Sequence, residues 1–138
     1  MEFNSKQMRE DALLAKGKYK FTVLHTKEKT SAKGTDMLIL KMRLEVNGRP
    51  VQFWATLLML PSMFWFFEHF CKSVGLESAL EEGSLMAQDC DGKEGTLEIN
   101  HRVNKETGEV EAYVKDFIAP EVMIENDAMF NDDVPNFA

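Results

Sequence analysis

The strongest constraint on the fold is the dipeptide Asn47-Gly48, which lies between two segments of alternating polar and apolar residues. Asn-Gly favours a two-residue β-hairpin because both of its residues tolerate positive φ angles. Neighbouring side chains in a strand point to opposite faces, so residues 36–46 and 50–58 each predict a strand with one apolar face. The predicted inward residues are Leu38, Leu40, Met42, Leu44 and Val46 on the first strand and Val51, Phe53, Ala55 and Leu57 on the second.

Beyond the N-terminal arm, the remaining patterns predict three more strands and two helices. The predicted strands cover residues 18–25, 36–46, 50–58, 93–103 and 110–118. A basic loop is expected over residues 26–35 and a hairpin loop over residues 104–109. A helix is predicted from Pro61 to the C-cap Gly75, followed by a short helix over residues 77–82. We therefore expect a mainly β fold, a five-stranded Greek-key OB-fold barrel with a helix between strands 3 and 4.

Length and charge divide the chain into three predicted parts. The 138 residues suit one domain with a hydrophobic core. We expect an N-terminal arm over residues 1–16 with a short helix around residues 5–14, the barrel over residues 17–119, and an acidic tail without regular structure over residues 120–138. The net charge is −7, but residues 1–60 contain 11 Lys or Arg against 6 Asp or Glu. Because the acids concentrate at the other end, the net charge does not exclude a nucleic-acid partner.

The cysteines, the glycines and the apolar segments give no sign of a zinc site, a nucleotide-phosphate loop or a membrane span. Cys71 and Cys90 lack zinc-ligand spacing, so we interpret them as reduced structural thiols in a cytoplasmic protein. No Gly-rich phosphate loop is present. The apolar stretch at residues 57–67 is too short to span a bilayer. Residues 1–14 mix charged and apolar residues, so no signal peptide is expected.

A basic and aromatic surface is predicted on the outward side of the hairpin, where Lys41, Arg43 and Trp54 would point together. Unpaired bases stack on aromatic rings with about 1–3 kcal/mol each, and Lys and Arg neutralise phosphates. None of these contacts reads a base edge, so we expect weak sequence preference. The predicted nucleic-acid-binding residues are Lys18, Lys20, Lys27, Lys29, Lys33, Lys41, Arg43, Trp54, Arg102, Tyr113 and Lys115.

The two tryptophans each have a second interpretation. An outward Trp54 could instead cover a small second core under the N-terminal arm. Trp65 shares the polar side of its helix with His69 and Lys72, where it could form a subunit contact. We interpret Trp65 as a partly buried packing residue, and the pattern leaves self-association of the chain open.

The N-terminal half resembles a family of bacteriophage single-stranded DNA-binding proteins with an OB-fold. The resemblance rests on Gly17-Lys18-Tyr19, a "GxY" in strand 1, and on the run from Thr30 to Leu38, a "SxKGxxML" type segment that leads into strand 2. It extends loosely over residues 17–118 through the order of elements. It implies binding and protection of single strands in phage DNA replication and recombination, in the host cytoplasm and without catalysis.

The tail resembles the acidic tip of bacterial and phage single-stranded DNA-binding proteins. The matching residues, which the resemblance implies are partner-binding, are Asp132, Asp133, Val134, Pro135 and Phe137. In those proteins the tip recruits replication, recombination and repair proteins. In this sequence Asn136 separates Pro135 from Phe137, and Ala138 follows the aromatic residue. The tail could also compete with DNA for the basic face, since both are anionic.

Two other classes of function stay open at this stage. The net acidity is compatible with an acidic DNA mimic or interaction protein that inhibits a host DNA-binding enzyme. Asp89 and Asp91, near Lys93, could form part of a metal-dependent nuclease site. Gly92 between the two carboxylates favours a turn instead.

Overall fold

The computed structural model describes residues 1–120, apart from the side chain of Glu10. The strands of this part are β1 (Gly17–Thr30), β2 (Asp36–Val46), β3 (Arg49–Leu58), β4 (Glu94–Val103) and β5 (Val110–Ile118). The helices are α1 (Ser5–Asp11), α2 (Phe64–Val74) and α3 (Glu77–Glu82), with 3₁₀ turns at Pro61–Met63 and Ala87–Cys90. The predicted tail beyond Pro120 lies outside the described residues, and with it the five residues of its tip.

The mainly β fold predicted from the sequence is confirmed as one antiparallel sheet. Its strand order is β3-β2-β1-β4-β5. Three consecutive strands and a fourth that returns beside the first form a Greek-key order. Strands β3 and β5 are the two edges of the sheet, and the described residues form no hydrogen-bonded ladder between them. No helix within residues 1–120 has the length and apolar character needed to cross a bilayer.

The central hairpin has the predicted turn and the predicted strand phase. Asn47 and Gly48 adopt φ angles of 52° and 79°, as a two-residue turn of this hand requires. Leu40, Met42 and Leu44 are fully buried on β2. The inward residues of β3 change from half-buried at its start to buried at its end. Because the inward residues are the predicted ones, the residues between them, which include Lys41, Arg43 and Trp54, face outward.

One face of α2 covers the core of the sheet. Phe66 and Phe70 each lie 5.1 Å from Phe117 of β5, measured between ring centroids, and Phe21 of β1 lies 5.5 Å from the same ring. These contacts follow from the helical spacing of apolar residues in α2. Gly75, with φ of 79°, ends the helix as predicted.

Strand β1 is longer than predicted, and this changes the position of two lysines. The predicted strand ended at residue 25, but pairing with β2 continues to Thr30 after a register shift between Val23 and His25. After the shift, the inward positions of the strand change from odd to even residue numbers, so the sequence no longer alternates as one continuous strand would. Lys27 and Lys29 therefore lie on the strand rather than in a loop. The connecting loop is reduced to residues 31–35.

The N-terminal arm closes one end of the core. The carbonyl oxygen of Leu14 lies 2.8 Å from Nε2 of His101, and the Tyr19 hydroxyl donates to the carbonyl of Ala15 at 2.7 Å. A cavity under residues 12–15 is lined by Phe53 rather than by Trp54. The interpretation of Trp54 as a cover for a core under the arm is therefore wrong.

The two buried cysteines predict a loss of stability in alkali. Cys71 and Cys90 are 0% exposed, and burial raises their pKa values from 9.0 to about 12 and about 11. Above pH 9 the unfolded chain releases thiol protons that the folded chain retains, so folding stability falls as the pH rises from 9 towards 11–12. We expect the urea midpoint to fall across this range. The fall should be shallower in Cys71→Ala/Cys90→Ala, and parallel profiles would refute this account.

Candidate nucleic-acid interface

A groove of about 630 Å³ separates the two edge strands of the sheet. Trp54 and Thr56 line it from β3, and Tyr113 and Lys115 line it from β5. The start of α2 contributes Trp65. The groove exists because β3 and β5 approach each other without pairing. An open groove with aromatic side chains along its walls offers surfaces on which unpaired bases can stack.

Trp54 is the most accessible aromatic side chain of this groove. It is 55% exposed and lies directly opposite Lys41 in the β2–β3 ladder. Arg43 lies opposite Gln52 on the same outward face, since paired residues of an antiparallel ladder share a face. The predicted combination of an outward ring beside two cations is therefore present.

Tyr113 lines the groove from β5, across from Trp54 on β3, and its ring already contacts the guanidinium group of Arg102. The guanidinium carbon of Arg102 lies 4.4 Å from the centroid of the Tyr113 ring. Arg102 also donates from Nε to Oε2 of Glu111 at 2.8 Å. That bond, together with one from Asn104, lowers the pKa of the Glu111 carboxyl. Glu111 is therefore an anion at neutral pH, and it pairs with Arg102, which the sequence pattern predicted to be available to DNA.

Trp65 is a groove residue that the sequence analysis assigned to packing. It is 43% exposed, which agrees with a partly buried side chain, and its accessible part lines the groove. Its ring lies edge-on to His69 at 5.6 Å, and Nδ1 of His69 lies 2.7 Å from Oδ1 of Asp116 on β5. The signal that could have identified it was its position on the polar side of α2 with His69 and Lys72.

The remaining predicted cations lie outside the groove. Lys18 and Lys20 pair with Glu98 and Thr96 of β4, so one of them has an acidic neighbour. Lys115, which lines the groove, lies 4.0 Å from the same Glu98 carboxylate. The structure therefore joins Trp54, Tyr113, Arg102 and Lys115 in the groove, with Lys41 and Arg43 on adjoining β2.

Three further lysines lie near the far end of the β1–β2 hairpin. Lys27 and Lys29 pair with Ile39 and Met37, which places them on the outward face of Lys41. Lys33 is exposed in the connecting loop. These three lysines do not form the rim of the groove. They form a basic strip that leads away from it along β1 and into the connecting loop.

The alternative nuclease residues do not converge in the described chain. Asp91 lies 3.8 Å from His25, and Asp89 accepts a hydrogen bond from the backbone of Met86. Gly92 adopts φ of 81°, which confirms the predicted turn. Residues 1–120 contain no group of three His, Cys, Asp or Glu side chains arranged to hold a metal ion.

Comparison with known proteins gives no match: no protein-family model fits this chain, and no curated protein resembles it significantly in sequence.

Proposed function

We propose that this protein binds single-stranded DNA in the groove between β3 and β5, without sequence specificity and without catalysis. The observation that carries the proposal is the position of three aromatic side chains along one open groove beside Lys41: the exposed Trp54 and Trp65 and the part-buried Tyr113. Flat rings along a channel provide stacking surfaces for successive bases, and every base has a face that can stack. A duplex keeps its bases stacked inside and offers none of these faces.

Charge completes the proposed site. The outward faces of β1 and β2 carry Lys20, Lys27, Lys41 and Arg43, which would follow the phosphate backbone as it leaves the groove. Each phosphate that a cation neutralises releases condensed counterions, so affinity should fall steeply with salt. The formal charge of residues 1–120 is −2 and that of residues 121–138 is −5. The acidic tail would therefore oppose DNA binding most strongly at low salt.

We also propose that the sheet is a partly open barrel of the OB-fold type. The strand order, the pairing of β1 with both β2 and β4, and the helix between β3 and β4 support this assignment. OB-folds are partly open barrels that bind oligonucleotides across strands 2 and 3. The groove between β3 and β5 is the opening that such a barrel would have.

A gel shift tests the proposal and separates it from its competitors. Labelled oligo-dT and a duplex of equal length are titrated with the full chain in the presence of Mg²⁺. We expect a shift of oligo-dT, a weaker shift of the duplex, and intact DNA in all lanes. An acidic DNA mimic would shift neither substrate, and a nuclease would cleave them.

Removing the charge of Glu111 should tighten DNA binding. Glu111→Gln keeps the shape of the side chain and removes the charge that holds Arg102 in an exposed ion pair. We expect affinity for oligo-dT to rise by up to about fivefold at low salt, measured by fluorescence anisotropy. Glu106→Gln removes an equal charge outside the groove and is the matched control. An equal gain in both variants would assign the effect to net charge alone.

A further inference from the structure

His25 is an exposed residue on the outward face of β1. It directly follows the register shift of that strand and pairs with Lys41 of β2, which in turn pairs with Trp54 of β3. Paired residues of an antiparallel ladder share a face, so Trp54, Lys41 and His25 form one row across three neighbouring strands. The next residue of β1, Thr26, is buried, whereas the side chain of His25 is 69% exposed.

This row offers the sugar–phosphate backbone a path that crosses the strands. Neighbouring strands lie about 4.8 Å apart, so His25 lies roughly 10 Å from Trp54 along the row. The two neighbouring outward rows contain Arg43, opposite Thr22, and Lys27, opposite Ile39. Cations therefore flank the path on both sides. A strand with one base stacked on Trp54 would bring its next phosphates over β2 and β1.

The charges around His25 favour an anion. The charged residues of the elements next to it are Lys27 on β1, Lys41 and Arg43 on β2, and Asp91, Lys93 and Glu94 at the start of β4 and just before it. Four cations against two acids attract a phosphate even while the imidazole is neutral. Asp91 is the acid in contact, with its Oδ2 3.8 Å from Nδ1 of His25. An exposed pair of this kind is weak, so a phosphate can compete with Asp91 for the imidazole.

Histidine differs from the lysines of this surface because its charge depends on pH. Imidazole is the side chain that ordinarily gains a positive charge as the pH falls from 8 to 5. Both ring nitrogens are then donors, so one can stay near Asp91 while the other donates to a phosphate oxygen. A neutral imidazole neutralises no phosphate. His25 therefore adds a cation to this surface only in its protonated form.

The other two histidines of the chain are less suited to this role. Nδ1 of His69 lies 2.7 Å from Oδ1 of Asp116, and Nε2 of His101 lies 2.8 Å from the carbonyl oxygen of Leu14. The first contact joins α2 to β5, and the second joins the arm to β4. Neither residue belongs to the row of Trp54.

Resting on the proposed function, we propose that His25 binds a DNA phosphate and makes the binding of single strands tighter as the pH falls. The site then includes β1 as well as β2 and β3. DNA leaves the groove at Trp54 and crosses the sheet over Lys41 to His25.

The salt dependence of oligo-dT binding at pH 5.5 and pH 8 tests this proposal with the full chain. For single strands, the logarithm of the affinity falls with the logarithm of the salt concentration with a slope of about −0.7 per neutralised phosphate. We expect the slope to be steeper by about 0.7 at pH 5.5 than at pH 8. One additional phosphate contact of this kind corresponds to about three- to eightfold tighter binding at about 50 mM salt.

Two substitutions at position 25 assign the effect to the charge of this side chain. His25→Gln is polar and uncharged at both pH values, so it should show the shallower slope at both. His25→Lys is charged at both pH values and should show the steeper slope at both. His69→Gln is the matched control and should retain the change of slope with pH.

Two results would overturn the proposal: equal slopes at both pH values in the parent, or a change of slope that persists in His25→Gln. In either case, oligo-dT that binds the parent and binds Trp54→Ala more weakly would leave the proposed function intact. A parent protein that binds no oligo-dT at either pH would refute the proposed function and this proposal together.

Discussion

Replacing Trp54 and Tyr113 together with alanine is expected to lower the affinity for oligo-dT by at least about 30-fold, since each lost base stack costs ~1–3 kcal/mol. The two rings line opposite sides of one groove, so either single variant leaves the other ring, together with Trp65, as a surface on which a base can stack. Trp54 is 55% exposed, and its truncation removes little of the core. The measurement is anisotropy of a labelled oligonucleotide, which does not depend on protein fluorescence.

Two control variants make this result specific to stacking. Trp54→Phe keeps a smaller ring and should retain most of the affinity. Phe64→Ala removes an aromatic side chain of similar exposure that lines a separate cavity with Glu28 and Asp36 instead of the groove, and should leave DNA binding unchanged. If Trp54→Ala/Tyr113→Ala binds like the parent, or Phe64→Ala weakens binding equally, the groove is not the DNA path.

Gly95→Ala is expected to destabilise the fold by about 2–4 kcal/mol, through overpacking and disrupted hydrogen bonds. A Cβ atom at this position would lie 2.5 Å from Oγ of Ser73 and 3.0 Å from the buried ring of Phe21. The Ser73 hydroxyl donates to the carbonyl of Thr96 and accepts from its amide, which joins α2 to β4. The methyl group must displace this bridge, and urea denaturation would measure the loss.

A double-mutant cycle identifies the cause of this loss. In a Ser73→Ala background the hydroxyl is already absent, so adding Gly95→Ala should cost clearly less than in the parent. The remaining cost reports the contact with Phe21. If the losses of unfolding free energy from the two substitutions simply add, the cost of Gly95→Ala does not come from displacing the Ser73 hydroxyl.

Local patterns were sufficient to predict most of the elements. The Asn47-Gly48 turn and the alternation on both sides of it correctly predicted the phase that makes Trp54 and Lys41 neighbours. Gly75 and the helical spacing before it predicted α2. These features depend on residues close in sequence, where backbone preference and burial point to the same conformation.

Features that depend on distant pairing were not predictable in the same way. The register shift near Leu24 broke the alternation of β1, so Lys27 and Lys29 were assigned to a loop. The sequence pattern predicts that Arg102 is available to phosphate. Its hydrogen bond to Glu111 depends on the β4–β5 register, which the sequence pattern does not show. Trp65 lines the groove because β3 approaches β5, and its position on the polar side of α2 does not show which strands it will face.

The most direct test of the central claim is the emission of Trp54 during a titration with oligo-dT. The chain contains two tryptophans, so Trp65→Phe leaves Trp54 as the only one and keeps an aromatic ring at position 65. Stacking of a base on Trp54 should quench its emission in a saturable titration, and the quench should disappear as salt rises from about 50 to 300 mM. Oligo-dT that binds by anisotropy but leaves the emission of Trp54 unchanged would contradict the proposed groove, and a complete absence of binding would contradict the proposed function.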